Sequence, residues 1–329
     1  MKTISVISPC FNEETNVEIC YQTVRQIFAN ELPEYRLEHI FVDNSSTDRT
    51  PAILRELATN DPTLKVVLNA RNFGPFRSTF NGLRYATGDA ILVLLPVDLQ
   101  DPPELIPQFV RHWEKGIDVV AGARSQRQEP LLMRLSRGLF YRIVNALSDF
   151  RLSPDVGEFQ LIDRKVLTAV LSHNDHYPYI RGIIASCGFT RLEIPYTWLM
   201  RKRGVSKYNL PRLIDTALNG IFSFTKAPLR FCTLTGFVMS AFCILFALVS
   251  ALLYLFAPDV APRGTTTMIV ALFFLSGVQL TFIGMLGEYV MAIHSQVRGG
   301  PMVIERERLN IETPTAYSPV PPRIADLAL

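Results

Sequence analysis

Ala86–Leu105 reads A-T-G-D-A-I-L-V-L-L-P-V-D-L-Q-D-P-P-E-L. Its A-I-L-V-L-L run (Ala90–Leu95) is continuously apolar, the pattern of a strand covered on both faces. Beyond it come Asp98, Gln100 and Asp101, and then Pro103, which suits a first helical turn. The same unit recurs on either side. S-V-I-S (Ser5–Ser8), H-I-F-V-D (His39–Asp43), K-V-V-L-N (Lys65–Asn69) and D-V-V-A-G (Asp118–Gly122) read as buried strands. Helices are expected near Glu14–Phe28, Asp48–Asn60, Phe76–Tyr85 and Pro103–Lys115, with Asp48 or Thr47 capping the second. Alternation of this kind predicts an α/β fold with a doubly wound, largely parallel sheet.

In such sheets ligands bind beyond the C-terminal ends of the strands, and the polar residues collect there. Pro9, Asn12 and Glu13 follow the first strand, and Asp43, Asn44, Ser45 and Ser46 the second. Arg71, Asn72 and Gly74 follow the third, and Asp98, Gln100 and Asp101 the fourth. Four such clusters at successive strand ends point to one shared site. No G-x-G-x-x-G follows a strand and no G-x-x-x-x-G-K-[ST] is present, which argues against dehydrogenase and P-loop chemistry. Carboxylates here suit gripping ribose or base hydrogens, or holding Mg²⁺ or Mn²⁺ on a diphosphate. His173 and His176 lack a third ligand and are not read as a metal site.

Composition divides the 329 residues in two. Phe231 to Gly287 carries two charges in 57 positions, Asp259 and Arg263, while the chain as a whole is 19% charged. Phe231–Ala257 and Thr265–Gly287 are uncharged runs, each long enough as a helix to cross a hydrocarbon core of about 30 Å. The connection P-D-V-A-P-R-G reads as a tight hairpin. Arg201 to Arg230 holds seven Lys/Arg against one acid, Asp215. The positive-inside rule then puts residues 1–200 and the tail 294–329 in the cytoplasm, with spans over 231–257 and 265–293 in the inner membrane. The stretches Leu131–Phe150 and Leu210–Phe224 have the pattern of helices lying in the interface or packed as ordinary surface helices, with Leu210–Phe224 favouring the interface because it adjoins the first span. A net charge of +3 gives no reason to expect a nucleic-acid partner. The five cysteines form no C-x-x-C pair and are expected to be reduced thiols.

S-P-C-F-N-E-E (Ser8–Glu14), V-D-N-S-S-T-D-R-T (Val42–Thr50), N-A-R-N-F-G (Asn69–Gly74), D-L-Q-D-P-P-E-L (Asp98–Leu105), G-A-R (Gly122–Arg124), V-G-E-F-Q-L-I-D-R (Val156–Arg164), Y-I-R-G (Tyr179–Gly182) and R-K-R-G-V-S-K-Y (Arg201–Tyr208) carry a resemblance. The chain resembles the family 2 glycosyltransferases of GT-A fold. Within them it is similar to the polyprenyl-phosphate glycosyltransferases, including dolichol-phosphate mannose synthase and the bacterial polyisoprenyl-phosphate glucosyltransferases of O-antigen modification. The resemblance implies a GT-A catalytic domain followed by a two-helix membrane hairpin. It further implies inverting transfer of a sugar from a UDP- or GDP-sugar to a membrane polyprenyl phosphate, and a homo-oligomer, a tetramer.

It also assigns roles. Pro9, Asn12, Glu13, Asp43, Asn44, Arg71 and Gly74 match the nucleotide-sugar pocket, and Asp98 and Gln100 the metal and diphosphate ligands. Arg201 and Lys207 match residues closing over the diphosphate, and Arg124, Ser136 and Arg137 the acceptor-phosphate contacts. Glu158 keeps the carboxylate of the family's G-D-F-R, to orient the donor sugar or stabilise charge at the reacting carbon, or else to serve as a buried capping carboxylate; with Asp98, Arg201 and Lys207 it makes up the expected catalytic set. The sequence departs from the family pattern at several points: Pro96 stands for the first Asp of D-A-D-L-Q, Asn44 for an Asp, and Gln160 for an Arg. Arg77 follows F-G-P where the family has F-G-K. Two further readings stay open: direct transfer to another lipid or glycan, and an inactive scaffold that binds nucleotide or lipid.

Overall fold

The computed structural model describes residues 1–126, 153, 155–173, 175–176, 178–197, 227–256 and 265–311. The expectations for Ser136, Arg137, Arg201, Lys207, the interfacial stretches, the hairpin connection and the end of the tail fall outside these residues.

The strands are β1 (Lys2–Cys10), β2 (Tyr35–Asp43), β3 (Leu64–Asn69), β4 (Ala90–Leu92), β5 (Val119–Gln126), β6 (Val156–Asp163), β7 (Arg191–Thr197) and β8 (Glu305–Leu309). They form one sheet in the order β7-β5-β6-β4-β1-β2-β3-β8. The pairs β1–β2, β1–β4, β2–β3 and β5–β7 are parallel, whereas β6 runs antiparallel to β4 and β5, and β8 antiparallel to β3. Six strands thus point one way, and β6 brings its first residues, Val156–Glu158, to the edge where those six end.

Helices α1 (Val17–Glu31), α2 (Thr50–Asn60) and α4 (Ile106–Glu114) cover one face. Their Val24, Phe28, Leu54 and Phe109 pack with Ile4, Val6 and Phe41 from the sheet. Helices α3 (Pro75–Leu83), α5 (Arg164–Ser172) and α6 (Ile180–Ser186) cover the other, where Phe80, Val166 and Ile180 meet Ile7, Ile40 and Val42. Alternate residues of each strand feed opposite faces, and each fully buried aliphatic side chain is worth about 1.5–3 kcal/mol. Gly82 lets α3 lie close on the sheet, since a Cβ there would stand 2.7 Å from Val42 and 2.9 Å from Ile7.

The fourth strand is shorter than its apolar run. Beyond Leu92 the extended chain still bonds singly, Val93 N–H to Gln160 O at 2.8 Å and Leu95 N–H to Ile7 O at 2.8 Å. Pro96, with no N–H, ends it. The expected helix at Pro103 begins as a 3₁₀ turn, Pro103–Leu105, before α4. Asp48 sits just ahead of α2, and its carboxylate accepts Thr50 N–H at 3.0 Å.

Two long helices follow, α7 (Ala227–Phe256) and α8 (Thr265–Val297). Phe274–Met291 of α8 has a mean hydropathy of 1.3 with none of it buried, and is long and apolar enough to cross a membrane; Phe231–Phe246 of α7 is a shorter apolar stretch. Large apolar side chains stand exposed along both helices, among them Phe237, Phe242, Leu272 and Leu280. After α8 the chain returns to the sheet edge as β8.

Candidate functional site

The turns beyond β1, β2 and β4 each contain a non-glycine residue with left-handed backbone: Asn12 (φ 54°), Ser45 (φ 63°) and Leu99 (φ 54°). Asn adopts that region readily, but for Leu it is strained, a cost of order 1–3 kcal/mol that survives only where surrounding structure enforces it. Leu99 stands between Asp98 and Gln100. Its N–H bonds to Pro96 O at 2.9 Å, and Gln100 N–H reaches back to Asp98 Oδ1 at 3.4 Å. One tight turn therefore carries both proposed metal and diphosphate ligands.

Asp43 closes β2 and is 1% exposed. Ser46 donates to it through its N–H at 3.0 Å and through its hydroxyl. That hydroxyl accepts Asn12 N–H at 2.8 Å, while Asn12 Oδ1 accepts Thr47 N–H at 2.8 Å. Glu13 N–H bonds to Thr50 Oγ1 at 2.9 Å, and the Glu13 carboxylate accepts from Asn16 at 2.7 Å. These bonds lace the ends of β1 and β2 together. Burial pushes the Asp43 carboxyl above its ordinary value, and the Ser46 donors pull it back.

Asn44 is 4% exposed, and its amide is used in the turn after β3. Its Oδ1 accepts Phe73 N–H at 2.8 Å and Asn69 Nδ2 at 3.3 Å, while its Nδ2 donates to Asn72 Oδ1 at 2.8 Å. Asn72 Oδ1 also accepts Gly74 N–H at 2.9 Å. Gly74 has φ 88° and opens α3. The Arg71 guanidinium lies 4.0 Å over the Phe73 ring.

A second cluster spans the β4 loop, β5, β6 and β7. Arg124 Nη2 lies 3.1 and 3.2 Å from the two oxygens of Asp101, and its Nε donates to Tyr196 Oη at 3.1 Å. Tyr196 in turn donates to Asp101. Asp101 is 2% exposed. Burial pushes its carboxyl up, with Arg124 pulling it down and Glu158 adding a smaller upward push. Glu158 Oε1 stands 3.8 Å from Arg181 Nε, and Arg181 Nη1 donates to Val156 O at 3.0 Å. Arg77 Nε donates to His176 O at 2.9 Å, and His176 N–H approaches Gln296 of α8 at 3.3 Å.

The family model of glycosyl transferase family 2 matches residues 5–171, the span that contains the first cluster and Asp101, Arg124 and Glu158 of the second. This chain belongs to glycosyl transferase family 2. The glycosyltransferase has relatives along nearly its whole length. It is 32% identical to an uncharacterized glycosyltransferase of Bacillus subtilis (95% of this chain, 96% of that one). It is 35% identical to the bactoprenol glucosyl transferase of Shigella phage SfX (93% and 99%). It is 34% identical to the prophage bactoprenol glucosyl transferase homolog of Escherichia coli K12 (92% and 97%). A mannosyltransferase from Pyrobaculum calidifontis solved with GDP-Man and Mn²⁺ has 17% identity and a TM-score of 0.45 over 90% of this chain and 86% of its own, too remote to carry an argument.

The mixed sheet of this glycosyltransferase is GT-A-like. Pro9, Asn12, Glu13, Asp43, Asn44, Arg71 and Gly74 gather at the ends of β1, β2 and β3. Asp98 and Gln100 stand on the β4 turn, Arg124 at the end of β5 and Glu158 at the start of β6. Among the described residues no group of three or more His, Cys, Asp or Glu is arranged to hold a metal ion. Asp98 and Gln100 offer oxygen donors on one turn, which fits a hard divalent cation. Tyr196 escaped the sequence reading altogether. The inward alternation of Ile194 and Tyr196 in I-P-Y-T is the signal that marks it. The five cysteines are free thiols, with Cys10, Cys20 and Cys232 buried.

Proposed function

We propose that this glycosyltransferase moves a sugar, with inversion, from a nucleotide-sugar to a membrane polyprenyl phosphate, supplying a lipid-linked sugar for cell-surface glycan modification. The observation that carries the reading is the likeness to two bactoprenol glucosyl transferases at 34–35% identity over 92–93% of the chain, apolar helices included. On this reading residues 1–200 form a cytoplasmic catalytic domain, 201–230 a basic collar and α7 with α8 a two-span anchor in the inner membrane. The exposed apolar surface of α7 and α8 supports it.

The nucleotide occupies the ends of β1–β3. Asp43 and Glu13 accept hydrogen bonds from base or ribose, and Arg71 binds from the turn after β3. Asp98 and Gln100 would hold Mg²⁺ or Mn²⁺, whose charge would offset that of the leaving diphosphate. Arg201 and Lys207 close over that diphosphate. Arg124, Ser136 and Arg137 receive the acceptor phosphate. A phosphate monoester has a second pKa near ~6 and is already a dianionic nucleophile at neutral pH, so no strong base is required. The chain's task is to bring two anions together, and Glu158, held near Arg181, orients the sugar at the reacting carbon.

The test is to incubate membranes containing the full chain with undecaprenyl phosphate, Mg²⁺ or Mn²⁺, and UDP- and GDP-sugars, UDP-glucose first. Mass spectrometry of the lipid fraction is expected to find the hexosylated product with one donor. Sugar appearing on another lipid or glycan instead supports direct transfer. Absence of product with every donor, while nucleotide still binds, supports the inactive scaffold, the reading that Pro96 in place of a metal-site carboxylate favours.

A further inference from the structure

The amides around the β3–α3 turn have only one workable arrangement. Asn44 Oδ1 faces two donors, Phe73 N–H at 2.8 Å and Asn69 Nδ2 at 3.3 Å, so its Nδ2 must face Asn72. Asn72 Oδ1 likewise faces two donors, Asn44 Nδ2 at 2.8 Å and Gly74 N–H at 2.9 Å. The network therefore fixes both amide orientations, and the two positions are not chemically equivalent. Position 44 must both accept and donate. Position 72 only accepts.

A carboxylate at 44 keeps its two incoming bonds but turns an acceptor toward Asn72 Oδ1. If Asn72 flips to present its NH₂ instead, it faces the Gly74 N–H donor to donor. Either way one bond is lost. A carboxylate at 72 keeps both. The turn so held carries the Arg71–Phe73 stack, the guanidinium 4.0 Å over the ring, starting two residues past the end of β3.

We propose that Asn72 is a positioning residue of the donor site, acting with Asn44 to hold the Arg71–Phe73 stack against the nucleotide. The proposal rests on the donor placement proposed above. An amide is required at 44, whereas amide or carboxylate serves at 72.

The test compares Asn72→Leu, Asn72→Asp and Asn44→Asp in the full chain in detergent. Two readouts are used: amide hydrogen exchange at residues 70–74 and titration with UDP and GDP, followed by donor and acceptor KM where turnover is measurable. Asn72 is exposed, so its two variants do not disturb the core. Asn72→Leu removes the acceptor of Gly74 N–H and Asn44→Asp breaks the bond that holds that acceptor, so each is expected to lose protection at Gly74 while Phe73 N–H keeps its bond to residue 44. Both should weaken nucleotide binding and raise donor KM about tenfold, the effect of one or two lost hydrogen bonds, with acceptor KM unchanged. Asn72→Asp, the conservative variant, should recover protection and bring binding back to within about threefold of the wild type. Equal damage from Asn72→Asp and Asn72→Leu overturns the proposal, as does nucleotide binding that is unchanged in Asn72→Leu while protection is lost. A wild-type chain that binds neither nucleotide sinks the donor placement itself and this proposal with it, an outcome distinct from the other two.

Discussion

Removing the charge of Asp101 isolates the ion pair that anchors the second cluster. Asp101 has a side chain 3% exposed and Arg124 one 24% exposed, 3.1 Å apart, with Tyr196 bonded to both. Asp101→Asn keeps the shape and can still accept from Tyr196, but leaves the guanidinium buried without its counter-charge. Breaking a buried pair by neutralising one partner costs about 3–5 kcal/mol, whereas removing both charges costs far less. Arg124 retains some solvent, so the lower end, about 3 kcal/mol, is expected. In a catalytic domain of this size that lowers the unfolding midpoint by roughly 6–12 °C. Arg124→Met, which strands the carboxylate, should cost a similar amount. The double variant should be less destabilised than the sum of the two by at least about 1.5 kcal/mol. Thermal unfolding of all four proteins in one detergent measures the cycle. Additivity to within about 0.5 kcal/mol would refute the reasoning, because it would mean that the pair and the bonds through Tyr196 do not couple the β4 loop to β5 and β7.

Three further outcomes follow from the same geometry. Asp98→Ala, at a half-buried turn position, should leave the unfolding midpoint within about 2 °C of the wild type while reducing turnover by on the order of 10²-fold; full turnover would remove Asp98 from the metal site. Burial pushes His39 down to about 3, against a smaller upward pull from Asp61. The unfolded chain therefore binds the proton first. Stability is fully present above about pH 6.5 and falls by up to about 1.4 kcal/mol per unit as pH drops from there toward 3. Unfolding midpoints at pH 7.5 and 5 should differ more in the wild type than in His39→Gln, and equal slopes would contradict this. Glu305 accepts from Asn81 and from Tyr85, the latter at 2.7 Å, across the β8 edge. Glu305→Ala strands both donors and should cost about 2–3 kcal/mol, read as a lower midpoint.

The parts of the fold that could be read from sequence are those whose stabilisation is local in pattern. β1 to β5 appear as apolar runs because both faces of each are covered by helices, and the polar residues at their ends stand out against those runs. β8 could not be read in the same way. Its E-R-E-R-L pattern reads equally as a solvated strand or a solvated tail, because the partners of its charges, Arg55, Asn81 and Tyr85, lie more than 200 residues away in the chain. β7 hides behind Pro195, which a strand tolerates only at an edge, and β7 is the edge beyond β5. Tyr196 is lost with it, and so is the reason Arg124 is held where it is. The carboxylates of the site were recognisable by type and spacing. That Asp101 is paired and Asn44 is committed to a turn depends on contacts that no local pattern encodes.

The return of the chain after α8 gives those distant contacts a common purpose. Residues 298–304 separate α8 from β8, a span of at most about 25 Å when fully extended. Ile304 O accepts Ala70 N–H at 2.9 Å, one residue before Arg71, and Arg55 clasps Glu307 from α2 with its nearest contact at 2.8 Å. Asn310 Nδ2 reaches the carbonyls of Ala58 and Leu64 at 2.7 and 2.9 Å. The segment leaving the apolar helix is thus tied to the sheet on the side of the donor turn, and His176 approaches Gln296 from the loop ahead of α6. A polyprenyl acceptor cannot leave the bilayer cheaply, so on the proposed reading the catalytic sheet must be held at the height of the lipid phosphate. A strand that adds to the sheet edge immediately after the helix fixes that height through backbone bonds. Its charges then have a physical reason: the register shift at Leu68–Asn69 turns Glu307 to Arg55 on the α2 face and Glu305 to Asn81 and Tyr85 on the α3 face, while the exposed Arg306 and Arg308 keep the edge charged.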